Sequence, residues 1–268
     1  MANTTWNPSD KSANCTLTGS NLIATGAAAG TNWTRAVDKQ VTGKFYWECT
    51  YNTNASAGTG AGGASPSVNL LNGFTAGTPS LGSFGLVHTG ILYVDGVGTG
   101  LAFGSIANGT VVCFAVDCAA RLVWARLGAA GNWNTVAANN PATGVGGIAI
   151  NNLGVGIPLY PAAVLTGTSE QITANFGNTA FTGTVPSGFT SGFTAGAVIP
   201  TNELLTQGAL EQWGSGTPAM WATQAAVEMW ASVQATSGTQ MTVTQMALET
   251  WAPVTSAVPA QARAMILA

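Results

Sequence analysis

The stretch Gly43-Lys44-Phe45-Tyr46-Trp47-Glu48-Cys49-Thr50-Tyr51 is the strongest guide to the fold class. Successive side chains of a strand point to opposite faces, so Phe45, Trp47, Cys49 and Tyr51 share one side and Tyr46, Glu48 and Thr50 the other. One side is wholly apolar and the other mixed, which predicts a half-buried strand. Similar runs recur along the chain at Phe84 to Val87, Ile91 to Val94, Thr110 to Asp117, Leu122 to Leu127, Gly147 to Ile150, Ala162 to Leu165 and Gln171 to Phe176. Clusters of Gly, Asn, Ser and Pro separate them, and no long helical period interrupts the series. Short strands punctuated by turn residues are the pattern of an antiparallel β-sandwich or barrel, so the expected fold class is all-β. Residues 56–79, SAGTGAGGASPSVNLLNGFTAGTP, are too glycine-rich for a regular strand throughout and predict a flexible surface loop.

Composition narrows function. Only 6% of the 268 residues are charged, against about 25% in ordinary soluble domains. The seven Lys and Arg are scattered along the chain and form no stripe that would release counterions from a phosphate backbone, which excludes nucleic-acid binding. No stretch of about 18 apolar residues occurs, so membrane insertion is not expected. The start, MANTTWNPSD, lacks the basic and apolar regions of a signal peptide, and synthesis in a cytosol is expected. With a net charge of −3 there is little like-charge repulsion to keep copies apart, which points to life in an assembly.

The charge divides the chain near residue 200. Six acids and six bases balance in residues 1–200, and the net charge resides in residues 201–268. We place the boundary between a β-sandwich domain, 1–198, and a C-terminal region, 199–268. That region holds a repeat: Thr206-Gln-Gly-Ala-Leu-Glu-Gln-Trp213, Thr223-Gln-Ala-Ala-Val-Glu-Met-Trp230 and Thr244-Gln-Met-Ala-Leu-Glu-Thr-Trp251 share the pattern T-Q-x-A-[LV]-E-x-W. As a helix each unit gathers its Ala, Leu or Val and Trp on one face, and as a strand it divides them; the sequence leaves both open. Either way a unit this short cannot bury its own apolar side. Leu210, Trp213, Trp221, Val227, Trp230, Leu248 and Trp251 are therefore expected at a subunit interface, giving a homo-oligomer.

The residues that carry enzyme chemistry are sparse. His88, the one histidine, follows a strand-like run and precedes Thr89-Gly90, the setting of a strand-end contact, and no G-x-S-x-G elbow accompanies it. Glu48 is expected to pair with Lys44 or a neighbouring Arg, and Asp117 to form a turn. No carboxylate pair suits glycoside hydrolysis, and no cluster suits a metal. No catalytic residue, metal or cofactor is expected. Among four cysteines without C-x-x-C spacing, Cys49 and Cys113 lie in apolar runs as core residues. Cys15 and Cys118 stand beside turn residues and are the candidates for an intersubunit crosslink. The loop region around Asn69, Asn72, Phe74 and Trp133 offers amides and aromatic faces suited to sugar hydroxyls and rings, and is the candidate ligand-binding surface.

Three stretches carry a resemblance to the SPRY family. They are Trp33-Thr34-Arg35-Ala36 with Gly43-Lys44-Phe45-Tyr46-Trp47-Glu48; Gly109 to Asp117 continuing to Arg121-Leu122-Val123-Trp124; and Ile172-Thr173-Ala174-Asn175-Phe176-Gly177 through Phe181 with Pro186-Ser187-Gly188-Phe189. Thr110 departs from the acid usual after Gly109. The resemblance implies a concanavalin-like β-sandwich over residues 4–195 and binding rather than catalysis. The T-Q-x-A-[LV]-E-x-W units resemble repeats at the ends of tailed-bacteriophage structural proteins. That implies a virion component made in a host cytoplasm and released by lysis: a fibre, tail appendage or head decoration. Its partners would be other virion proteins and, in the alternative reading as an adhesin module, a host-surface glycan or receptor.

Overall fold

The computed structural model describes residues 3–74 and 82–194. The repeat region, the boundary near residue 198 and the interface candidates Leu210, Trp213, Trp221, Val227, Trp230, Leu248 and Trp251 lie outside the described residues.

In chain order the strands are β1 (Trp6–Lys11), β2 (Cys15–Thr18), β3 (Ile23–Gly26), β4 (Asn32–Ala36), β5 (Lys44–Thr53), β6 (Gly60–Ala64), β7 (Ser83–Val87), β8 (Ile91–Val94), β9 (Val97–Ala102), β10 (Thr110–Asp117), β11 (Leu122–Leu127), β12 (Ile148–Ala149), β13 (Tyr160–Leu165), β14 (Gln171–Asn175) and β15 (Thr190–Ser191). The first sheet has the order β1-β4-β13-β6-β7-β8-β9 and the second β12-β11-β10-β5-β14-β3-β2. Pairing within both is antiparallel, and β15 joins β5 in parallel. Short 3-10 turns stand at Leu70–Asn72, Trp133–Thr135 and Pro141–Thr143. The all-β expectation holds.

β5 is the axis of the second sheet, with Trp47 opposite Phe114 of β10 and Cys49 opposite Ala174 of β14. Its inward residues Phe45, Trp47, Cys49 and Tyr51 enter the core between the sheets, as the alternation predicts. There Trp47 stacks on Phe114 at 5.5 Å and meets Phe193 edge-on at 5.6 Å.

The expectation of a half-buried strand needs correction. Tyr46 and Glu48 on the other face are buried too, because a second apolar layer of Tyr46, Cys113, Ala115, Trp124, Trp133 and Phe189 covers the outside of this sheet. A third layer, containing Val68, Leu70, Phe74, Val87 and Val164, covers the outside of the first sheet.

The expected flexible loop at 56–79 is overturned in its first half, where Gly60–Ala64 is a fully buried central strand; residues 75–79 of it lie outside the described residues. Its glycines answer to the neighbours: a Cβ on Gly62 would collide with the backbone of Phe84 and Gly85, and one on Gly85 with the ring of Phe74. The crosslink candidates are overturned as well. Cys15 and Cys118 are 1% and 4% exposed, and burial pushes their thiols up to about 11 and about 12. Small apolar side chains pack well however polar their chain neighbours are. Cys49 and Cys113 are buried as expected.

Candidate functional site

Residues 65–74, the described part of the segment after β6, are built on the outer face of the first sheet. Asn69 caps the turn Leu70–Asn72 by accepting the Leu71 N–H at 3.1 Å. Arg35 of β4 fastens the loop, donating to Val68 O and, at 3.1 Å, to Asp10 of β1. Asn69 and Asn72 are exposed, with Leu71 between them 55% exposed. Phe74 is instead 1% exposed, its ring laid over Gly85. It is a packing residue, not a ligand platform.

Trp133 belongs to the opposite outer face. It packs with Tyr46 and Trp124 over the second sheet, and the Arg126 guanidinium lies 4.4 Å from its ring centre. The four predicted ligand residues are therefore not brought together: Asn69, Asn72 and Phe74 share a loop, and Trp133 stands across the sandwich from it. Only Asn69 and Asn72 keep the exposure a surface contact needs.

The carboxylates have internal employment. Glu48 does not pair with Lys44, contrary to expectation. It accepts Tyr46 Oη at 2.6 Å and the backbone N–H groups of Thr182 at 2.9 Å and Gly183 at 2.7 Å. Alternation puts Glu48 on the face of Tyr46, and the crossing segment 181–189 supplies donors instead of a counter-charge. Lys44 reaches Asp117 across the β5–β10 ladder at 3.3 Å. Asp117 also accepts Ala120 N–H at 2.8 Å, the turn its sequence predicts. Asp95 takes N–H groups from Ser83 and Asn152. His88 sits at the end of β7 as expected, its Nδ1 2.9 Å from Asn54 Nδ2. Desolvation, reinforced by the neighbouring Glu48 and Cys113, holds the Tyr46 hydroxyl far above its ordinary range.

Sequence reasoning passed over Glu170, which collects more donors than any of these. Its Oε1 accepts the N–H groups of Ala55 and Ser56, and its Oε2 those of Thr166 and Gly167, together with the Thr59 hydroxyl. The one signal for it was an acid in the turn Thr166-Gly167-Thr168-Ser169-Glu170 between two strands. Sequence reasoning also passed over an open groove of about 330 Å³ between β9 and residues 134–148, lined by Thr99, Leu101, Asn134, Val136, Ile148 and neighbours, none of them ionisable. The Asn134 amide there is spent on Ala125 N, Val123 O and Gly146 O.

The stretches that resemble the SPRY family, apart from Trp33–Ala36 in β4 of the first sheet, lie together in space. β5, β10, β11 and β14 are consecutive in the second sheet, and residues 181–189 cross their outer face. The SPRY domain of human HERC1 superposes with a TM-score of 0.50 at 15% identity, over 65% of this chain and 99% of that one. The sandwich is SPRY-like. The TRIM65 PSpry domain gives 0.46 at 12% identity, over 65% of this chain and 92% of that one. Stonustoxin gives 0.43 at 17%, over 65% and 27%. No family model matches the chain, and no curated protein matches it in sequence.

Proposed function

We propose that this protein is a non-catalytic bacteriophage virion component: a SPRY-like binding module carried on a C-terminal repeat region that joins it to copies of itself or to neighbouring virion proteins. The observation that carries the reading is the threefold T-Q-x-A-[LV]-E-x-W pattern between residues 206 and 251, following a SPRY-like sandwich. A binding role, not catalysis, is supported by the engagement of Glu48, Glu170, Asp95 and Asp117 in internal hydrogen bonds. Repeated display would let weak loop contacts add up through valency.

Light scattering on the full chain tests it. A defined oligomer is expected, and W213A/W230A/W251A is expected to reduce it to a monomer whose sandwich still unfolds cooperatively. An oligomer unchanged by the triple substitution would remove the repeats from this role.

Attachment to a host-surface glycan is the second reading, favoured by the exposed Asn69-Leu70-Leu71-Asn72 turn, where two amides flank an exposed leucine. Glycan-array binding that disappears in N69A/N72A is its expected sign; binding indifferent to both substitutions would place the contact elsewhere.

A further inference from the structure

Two of the connections that cross between the sheets meet at one end of the sandwich. β5 of the second sheet connects to β6 of the first through residues 54–59, and β13 of the first connects to β14 of the second through 166–170. All five donors to the Glu170 carboxylate come from these two connections: Ala55, Ser56 and Thr59 from one, Thr166 and Gly167 from the other. The backbone distances run from 2.6 Å for Ser56 to 3.0 Å for Ala55. The two connections are further tied by the contact of the Thr59 and Thr166 hydroxyls at 3.2 Å.

We propose that Glu170 is a proton-operated clasp that fastens the β5–β6 and β13–β14 connections to each other when ionised and releases them when protonated. The reason is the inventory of lone pairs and protons. An ionised carboxylate accepts only, and five donors suit it. A protonated carboxyl must itself donate one hydrogen, which none of the four N–H groups can take; only a hydroxyl such as that of Thr59 can turn to accept it, giving up its own bond to the carboxylate, and charge assistance is lost for the rest. No cation shares the load, since the ion pairs among the described residues are Arg35 with Asp10 and Lys44 with Asp117. The titratable side chains on the elements packed around Glu170 are committed elsewhere. Tyr51 of β5 gives its hydroxyl to Leu86 O, Glu48 of β5 lies in the outer layer with Tyr46, and the His88 ring meets Asn54. β3, β6 and β14 carry no titratable side chain.

Burial alone would raise this carboxyl, but the bonds from Thr59, Ser56 and Ala55 outweigh it and the group is held below its ordinary 4.5. A group lowered by folding stabilises the fold above its unfolded value and loses that contribution as pH falls through the folded one. The clasp is therefore closed at neutral pH and opens only as pH falls below the ordinary 4.5 of the group.

Residue-resolved hydrogen exchange on the full chain, corrected for intrinsic rates, tests the clasp. As pH falls from 6 through the titration of Glu170, followed by the carbon-13 shift of its carboxyl, the amides of Ala55, Ser56, Thr166 and Gly167 should lose protection by on the order of tenfold or more, while Trp47 and Phe114 in the central ladder keep theirs. Glu170→Gln, which puts an amide donor among donors, should open the same four amides at pH 7. Unchanged protection of those four amides once Glu170 is protonated, or their release only together with Trp47 and Phe114, would overturn the proposal, and so would a folded Glu170→Gln that stays protected. Should that variant not fold, the acid titration of the unaltered chain decides alone.

Discussion

Two buried carboxylates do similar work in different surroundings. Glu48 stands in the middle of β5, beneath a covering segment, and binds one phenol, one thiol and two successive backbone N–H groups. Glu170 stands at the end of the sandwich and binds groups from two connections between sheets. With few charges to spend, the chain places them where irregular backbone crosses regular structure and peptide donors would otherwise be buried without acceptors. The difference lies in what happens when the acceptor is lost. Around Glu48 the Tyr46 hydroxyl, the Cys113 thiol and the Gly183 N–H are enclosed and Thr182 alone reaches the surface, whereas the four N–H donors around Glu170 belong to turns with exposed neighbours such as Ala57, Thr168 and Ser169.

Deleting each acid tests this contrast most directly. Glu48→Ala is expected to cost about 3 kcal/mol or more in denaturant unfolding, since the buried Tyr46 hydroxyl, Cys113 thiol and Gly183 N–H lose their acceptor. Glu170→Ala should cost about half that, because its donors can turn to water; equal losses would erase the distinction. Next comes Gly183→Ala. A Cβ there would stand 2.6 Å from both Arg126 Nη2 and Tyr46 Oη, so the crossing segment must lift, at about 1–3 kcal/mol. Tyr46→Phe, which removes one donor and leaves the ring, should cost about 1 kcal/mol, and much less in a Glu48→Ala background if the two groups act as a pair. At the exposed turn, Asn69→Ala should cost under about 1 kcal/mol, the worth of a surface cap, measured as a shift in the urea midpoint.

Much of this fold was legible. The alternation of β5 named its inward residues correctly, and the strand-like runs from Phe84 to Leu127 match β7, β8, β10 and β11. What the residues could not reveal was the second covering of each sheet. Tyr46 and Glu48 read as an outer face because the segment that buries them lies more than 130 residues later in the chain. The glycines of β6 read as a loop because their meaning lies in Phe84, Gly85 and Phe74, which occupy the space side chains would need. Phe74 and Trp133 read as one aromatic surface because a linear sequence does not say which of two outer faces a loop covers. Glu170 went unweighed for a related reason: its importance rests on unpaired backbone donors, and those carry no letter in the sequence.

The sealed thiols have a practical side. All four cysteines are free and buried, and a thiol reacts through its thiolate and only when reagent reaches it. The folded sandwich is accordingly blank to maleimides and disulfide reagents, and any labelling counts excursions to an opened state. The same blankness makes the chain a ready chassis for site-specific attachment: Val155→Cys, at a position 87% exposed, would provide one reactive handle against a silent background.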